Sequence, residues 1–191
     1  MDKLSIMLVG VGGQGTLLAS RVLGTVALKE NFDVKVSEVH GMSQRGGSVV
    51  TYVKFAKKVF SPLIEKGEAD IILSFEQLEA LRWIPYLKPD GKMIINEQKI
   101  SPMPVIIGKA KYPENIIQNI KEHYKNTVTI DALKAAKESG NIKAVNIVLL
   151  GVLAKSSGIK KETWIDAIKE TVPPKFLEIN LKAFESGYEH S

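Results

Sequence analysis

Gly10-Val11-Gly12-Gly13-Gln14-Gly15 follows the apolar run Ile6-Met7-Leu8-Val9 and precedes Thr16-Leu17-Leu18-Ala19, where a helical pattern begins. A strand, a glycine turn and a helix in that order make a backbone anion site. Glycine permits the tight turn and lets a ligand approach the main chain, while the first N–H groups of the helix point outward at its positive end. A phosphate-bearing ligand is the expected guest.

Gly10, Gly12 and Gly15 satisfy the G-x-G-x-x-G dinucleotide fingerprint, and the Gly10 to Gly15 spacing is also that of a P-loop. The P-loop reading fails because Thr16 and Leu17 stand where its Lys and Ser/Thr belong, leaving nothing to reach a γ-phosphate or hold magnesium. The fingerprint alone also fits glycines that only let the first helix pack closely on the sheet.

Outward from the turn, Leu17, Leu18, Val22, Leu23, Val26 and Ala27 recur at helical spacing to about Glu30, and Asn31-Phe32-Asp33 closes the helix. Val34, Val36 and Glu38-Val39 follow as a second strand, with Glu38 where a ribose-binding acid would stand. The link His40 to Gly47 then runs directly into a third strand, Ser48 to Phe55. A parallel neighbour needs a crossover of about a dozen residues or more, so the third strand is expected to be antiparallel and the sheet mixed. Strands one and two, read as an adjacent parallel pair, would bring the glycine turn and the His40 to Gly47 loop side by side.

Further on, Ala69 to Phe75 reads as a buried strand, Glu76 to Tyr86 as a helix, Lys88-Pro89-Asp90-Gly91 as a turn and Lys92 to Asn96 as a strand. A Pro-punctuated excursion carries a short strand at Val105 to Gly108, a helix near Glu114 to Tyr124 and a strand at Val128 to Ile130. Helices follow from Asn146 to Lys155 and from Lys161 to Thr171, the latter after a Gly158 stop. The segment from Lys175 to Tyr188 is amphipathic and either docks as a last helix or reaches a partner. The alternation predicts one α/β domain over 1–191.

The chain is 45% hydrophobic and 25% charged over 191 residues, enough for one sizeable core. Its net charge of +5 comes from scattered lysines without a dense basic stripe, which argues against nucleic acid and for an anionic ligand or acidic partner. There is no cysteine, so thiolate-held iron–sulfur clusters, disulfides and thiol catalysis must come from another polypeptide. No signal-peptide pattern opens the sequence and the longest apolar run, Val145 to Ala154, is too short to span a bilayer. The expected setting is the cytoplasm, with no membrane contact.

The polar candidates are Gly10, Gly12, Gly13, Gln14 and Gly15 of the turn, with Ser43, Gln44 and Arg45 of the second loop. Arg45 offers a planar fork for phosphate or carboxylate, and Ser43 and Gln44 offer uncharged hydrogen bonds. His40 reads as a structural histidine, Glu38 as a loop cap or a partner of Arg45, and Asn146 as a bond to neighbouring backbone. Glu76 reads as a charge at the start of its helix, and Trp83 and Trp164 as core or interface residues. No nucleophile, general base and oxyanion site can be assembled, and no metal-ligand spacing is present. The expectation is a binding or interface chain without catalytic residues of its own.

Gly10 to Gly15 together with Glu38-Val-His-Gly-Met-Ser-Gln-Arg-Gly-Gly47 resembles the γ-type domain of the 2-oxoacid:ferredoxin oxidoreductases, and within that family the small β subunits of the indolepyruvate enzymes. The resemblance extends to Ala69-Asp70, Leu87 to Gly91, Asn146 with Leu150-Gly151, and Asn180 to Phe184. It implies a Rossmann-like three-layer α/β/α domain with a mixed, mainly parallel sheet, working as the small subunit of a hetero-oligomer. Such enzymes decarboxylate a 2-oxoacid oxidatively to an acyl-CoA and reduce ferredoxin. Thiamine diphosphate and the iron–sulfur clusters then belong to a larger α subunit, with no cofactor held by this chain alone. On this resemblance the two loops either bind the phosphate-bearing part of coenzyme A or buttress the thiamine site across an interface. Two other readings stand beside this one: a free-standing NAD(P)-binding oxidoreductase or dinucleotide sensor, and a purely structural interface subunit.

Overall fold

The computed structural model describes residues 3–41 and 46–190. Ile6 to Val9 lie in the central strand β1 (Lys3–Val11), which pairs with β3 (Ser48–Ala56) at one edge and β4 (Ala69–Ser74) at the other and is buried from Leu4 onward because a separate core covers each face. The six-stranded sheet has the order β2-β3-β1-β4-β5-β6, completed by β2 (Asp33–His40), β5 (Leu87–Asn96) and β6 (Thr127–Ile130).

β3 runs antiparallel to both β1 and β2, while β4, β5 and β6 extend β1 in parallel. The mixed, mainly parallel sheet inferred from the short His40 to Gly47 link is therefore present. The adjacency of strands one and two is not: β3 pairs between them, with Gly10 opposite Val49 and Glu38 opposite Thr51. A link too short for a crossover folds β3 back alongside β2, and β3 offers its other edge to β1.

Seven of the α-helices among the described residues cover the two faces. α1 (Thr16–Lys29), α5 (Ala132–Glu138), α6 (Val145–Ser157), α7 (Lys161–Thr171) and α8 (Leu177–Glu189) contribute to the larger core, with Leu4, Ile6, Leu8, Val53, Phe55, Leu73 and Ile94 of the sheet. α2 (Gln77–Trp83) and α4 (Ile116–His123) cover the other face, over Met7, Val9, Val50, Ile72, Met93 and Ile95. α6 is apolar nearly all round, as a helix enclosed by other elements must be. Its Gly151 lies against the Phe184 carbonyl of α8, and Gly187 of α8 lies against the Val148 carbonyl, so the C-terminal segment docks as a helix at very close range.

Three local expectations are corrected. Val105 to Gly108 is not a strand: Met103–Ile106 form a short helix, α3, after Pro102, whose carbonyl accepts the Val105 and Ile106 N–H groups. Lys88 to Gly91 belong to β5, which begins at Leu87 and shifts register against β4 between Ala69 and Ile71. The Glu76 helix is α2 up to Trp83, continued by a 3-10 turn over Ile84–Tyr86 where Pro85 interrupts α-helical bonding. Among the described residues no helix is long and apolar enough to cross a membrane.

Candidate functional site

After β1 the chain turns onto the α1 face, and after β4 it turns onto the α2 face. Adjacent parallel strands whose connections leave to opposite sides open a crevice at their C-terminal ends, the usual ligand position in such sheets. The glycine turn lies at that point. The floor is tight: the Phe75 N–H donates to the Val9 carbonyl at 2.8 Å, and a Cβ on Gly10 would stand 2.9 Å from Phe75 Cβ. Gly10 is needed for this packing, whereas Gly13 (φ 100°) and Gly15 (φ 82°) are needed for a left-handed backbone.

Gly15 is the N-cap of α1 and supplies no side-chain cap; the first helical bond runs from the Ala19 N–H to the Gly15 carbonyl at 3.2 Å. The Thr16, Leu17 and Leu18 N–H groups consequently have no intrahelical acceptor, and no acidic residue occupies the first turn. The Gly12 N–H is engaged, donating to the Gly47 carbonyl at 2.9 Å and prolonging the β1–β3 ladder.

Gln14 braces the turn. Its Oε1 accepts the Val11 N–H at 2.8 Å, and its Nε2 donates to the Phe75 carbonyl at 2.9 Å and to Gln98 Oε1 at 3.3 Å. Asn96 joins the same amide network through Nδ2, donating to the Phe75 carbonyl (3.0 Å) and to Gln98 Oε1, while its Oδ1 accepts the Ala132 N–H. Asn146, in the first turn of α6, donates from Nδ2 to the Gly15 carbonyl at 3.2 Å, which is the backbone bond expected of it. The turn is thereby held from β4, β5 and α6 together.

Two depressions flank it. One, of about 430 Å³, is lined by Gly12, Gly13, Gly15, Thr16 and Leu17 with Glu38, His40 and Val49. Glu38 and His40 share one face of β2 and reach the turn across β3; Thr51 Oγ1 donates to Glu38 Oε2 at 3.1 Å, and His40 is exposed. The other, of about 560 Å³, lies between Gly13, Gln14 and Gly15 and the residues Gln98, Leu133, Ile142, Lys143 and Asn146. The second wall escapes a sequence reading because α5 is a seven-residue helix without a clear periodicity, and Lys143 lies in a 3-10 turn beside it. Ser43, Gln44 and Arg45 lie outside the described residues, between His40 and the start of β3.

Beneath the α2 face, buried Glu76 is the N-cap of α2, its Oε2 accepting the Glu79 N–H at 2.9 Å, as a charge at the helix start should. Its Oε1 accepts the Ile100 N–H at 3.0 Å and the Tyr112 hydroxyl. Burial, and then donation to the Glu76 carboxylate, push the Tyr112 phenol well above its ordinary range. Trp164 is fully buried in the larger core. Among the described residues no cluster of three or more His, Asp or Glu could hold a metal ion.

Residues 5–190 match the family described as pyruvate ferredoxin/flavodoxin oxidoreductase. The indolepyruvate oxidoreductase subunit IorB of Pyrococcus horikoshii is 44% identical over 98% of this chain and 95% of its own length. Among solved structures, the gamma subunit of a keto/oxoacid ferredoxin oxidoreductase from Geobacter sulfurreducens superposes with a TM-score of 0.73 at 25% identity, covering 98% of this chain and 97% of that one. A 2-oxoglutarate:ferredoxin oxidoreductase from Magnetococcus marinus contains the same fold (TM-score 0.73, 18% identity), matching 98% of this chain but 31% of that longer one.

Proposed function

The chain belongs to the pyruvate ferredoxin/flavodoxin oxidoreductase family, and from that membership we propose that it is the small subunit of a heteromeric indolepyruvate-type 2-oxoacid:ferredoxin oxidoreductase. The enzyme converts an aryl 2-oxoacid and coenzyme A to an acyl-CoA and carbon dioxide, passing the electrons released to ferredoxin. The observation that carries this reading is near full-length similarity, at 44% identity, to a protein named as an indolepyruvate oxidoreductase subunit.

The missing cysteines agree with the division of labour that the family implies. Iron–sulfur clusters are held by cysteine thiolates, and this chain has no cysteine. A larger partner subunit holds them together with thiamine diphosphate, which supplies the carbanion chemistry of decarboxylation. This chain, one γ-type domain over 1–191 acting in the cytoplasm, contributes its C-terminal sheet edge. There the free N–H groups of α1 bind a phosphate of coenzyme A, and Gly13 and Gly15 let it approach the backbone. Gln14 and Asn146 hold the turn in shape. Ser43, Gln44 and Arg45 offer further hydrogen bonds to the ligand, the Arg45 fork suiting a second phosphate or the pyrophosphate.

The nicotinamide alternative loses its main support in the topology: a ribose-binding acid belongs on the strand beside the glycine turn, and Glu38 stands one strand further out. The test is reconstitution. Arylpyruvate- and coenzyme A-dependent ferredoxin reduction requires both subunits, and Arg45→Ala in the complex raises KM for coenzyme A by about tenfold or more. Full activity of the large subunit alone would refute the subunit role, and an unchanged KM would remove Arg45 from the site.

A further inference from the structure

The segment that leaves β5 passes directly from the candidate site to an exposed apolar knuckle. Gln98 lines the second depression beside the glycine turn, and Ile100 is fixed by its N–H to Glu76 Oε1 at 3.0 Å. The chain then forms α3 and returns to Tyr112, whose hydroxyl bonds the same Glu76 carboxylate and accepts the Leu78 N–H. Both ends of the excursion are therefore tied to one buried acid at the C-terminal edge of the sheet. Between them the loop closes on itself, the Pro104 carbonyl accepting the Lys109 and Ala110 N–H groups. This well-held element leaves Met103 at 61%, Ile106 at 65% and Ile107 at 54% exposure, three large apolar side chains adjacent on one turn.

Single exposed apolar residues are ordinary, but a compact group on a preformed turn, which spends no ordering entropy on association, is what a docking surface presents. The charges around it select the occupant. Lys99, Lys109 and Lys111 stand on the same excursion, Lys99 with its ammonium 5.9 Å from the Tyr112 ring centroid, and Lys99 also lines a neighbouring depression with Lys121 and Lys125. Two copies of this chain meeting through this face would set lysines against lysines, which disfavours self-association. The excursion also starts at the candidate site, since Gln98 at its root lines the depression at the glycine turn, which the larger subunit must cover if the two chains share a site.

The geometry points to the Met103–Ile107 knuckle as an anchor for the larger subunit, received by an apolar pocket ringed with acidic side chains. This inference rests on the subunit reading above and adds which surface makes the joint. In a binding assay between purified wild-type chain and large subunit, Ile106→Asp with Ile107→Asp weakens association by about tenfold or more. The circular dichroism and thermal unfolding of the isolated chain stay as in wild type, because these side chains project from the fold. Lys109→Glu with Lys111→Glu slows association and removes most of its salt dependence. Undiminished binding by the isoleucine variant overturns the inference, as does a variant that loses only self-association, which would make a second copy the occupant. Failure of the wild-type chain itself to bind the large subunit would instead overturn the subunit reading.

Discussion

Asn146 and Tyr112 each tie together segments that are distant in the sequence. Asn146 Nδ2 is the link between α6 and the Gly15 carbonyl, so Asn146→Ala leaves that half-buried carbonyl with the Ala19 N–H alone and costs about 1 kcal/mol, measurable as a shift in urea midpoint. If the turn binds a phosphate, the same variant in the complex also raises KM for coenzyme A. Tyr112 makes a pH prediction. Its neutral form is favoured in the fold, so its pKa lies above the ordinary 10.0 and the folded chain keeps a proton that the unfolded chain has lost. Its contribution is complete below about pH 10 and declines as pH rises beyond that. Tyr112→Phe should lower stability at neutral pH and flatten the alkaline decline. Tyr52, raised by burial and then by neighbouring Tyr86, leaves part of that slope in place. An unaltered slope in the Phe variant would show that Tyr112 is not the group responsible.

Among the elements, the α6–α8 crossing is the most demanding. A Cβ on Gly187 would stand 1.9 Å from the Val148 carbonyl oxygen and one on Gly151 2.2 Å from that of Phe184, contacts that only separation of the helices can relieve. Gly187→Ala should therefore cost about 3 kcal/mol, seen in thermal unfolding, although alanine is the better helix former in isolation. A stability equal to wild type would mean that α8 is not packed in this way. The same elements mark what could be read in the residues alone. α1, α6 and α7 are long enough for their apolar spacing to declare them, and the short link between β2 and β3 foretold a mixed sheet. α5, at seven residues, and α3, between prolines, carry too few positions for a period to emerge. The place of β3 between β1 and β2 was illegible because strand adjacency is decided by pairing over long sequence separations. The glycine turn was legible as a candidate site, yet its surroundings, Gln98 and Lys143, belong to distant segments and acquire meaning only when folded beside it.

At the scale of the molecule, the features converge on one edge. The glycine turn, the two depressions and the α3 knuckle all stand at the C-terminal ends of the strands, while the N-terminal ends carry ordinary ion pairs such as Lys88 with Asp70. A chain without cysteine that sets its candidate ligand site and the α3 knuckle at the same edge fits a subunit that completes a site shared with another polypeptide. The most direct measurement is to tag this chain at native expression, purify it gently without oxygen, and determine the co-purifying polypeptides with their iron and thiamine diphosphate content. The account predicts a larger, cysteine-rich partner carrying both cofactors and an arylpyruvate-dependent reduction of ferredoxin by the pair. A chain recovered alone, with neither cofactor and no such activity, would contradict it.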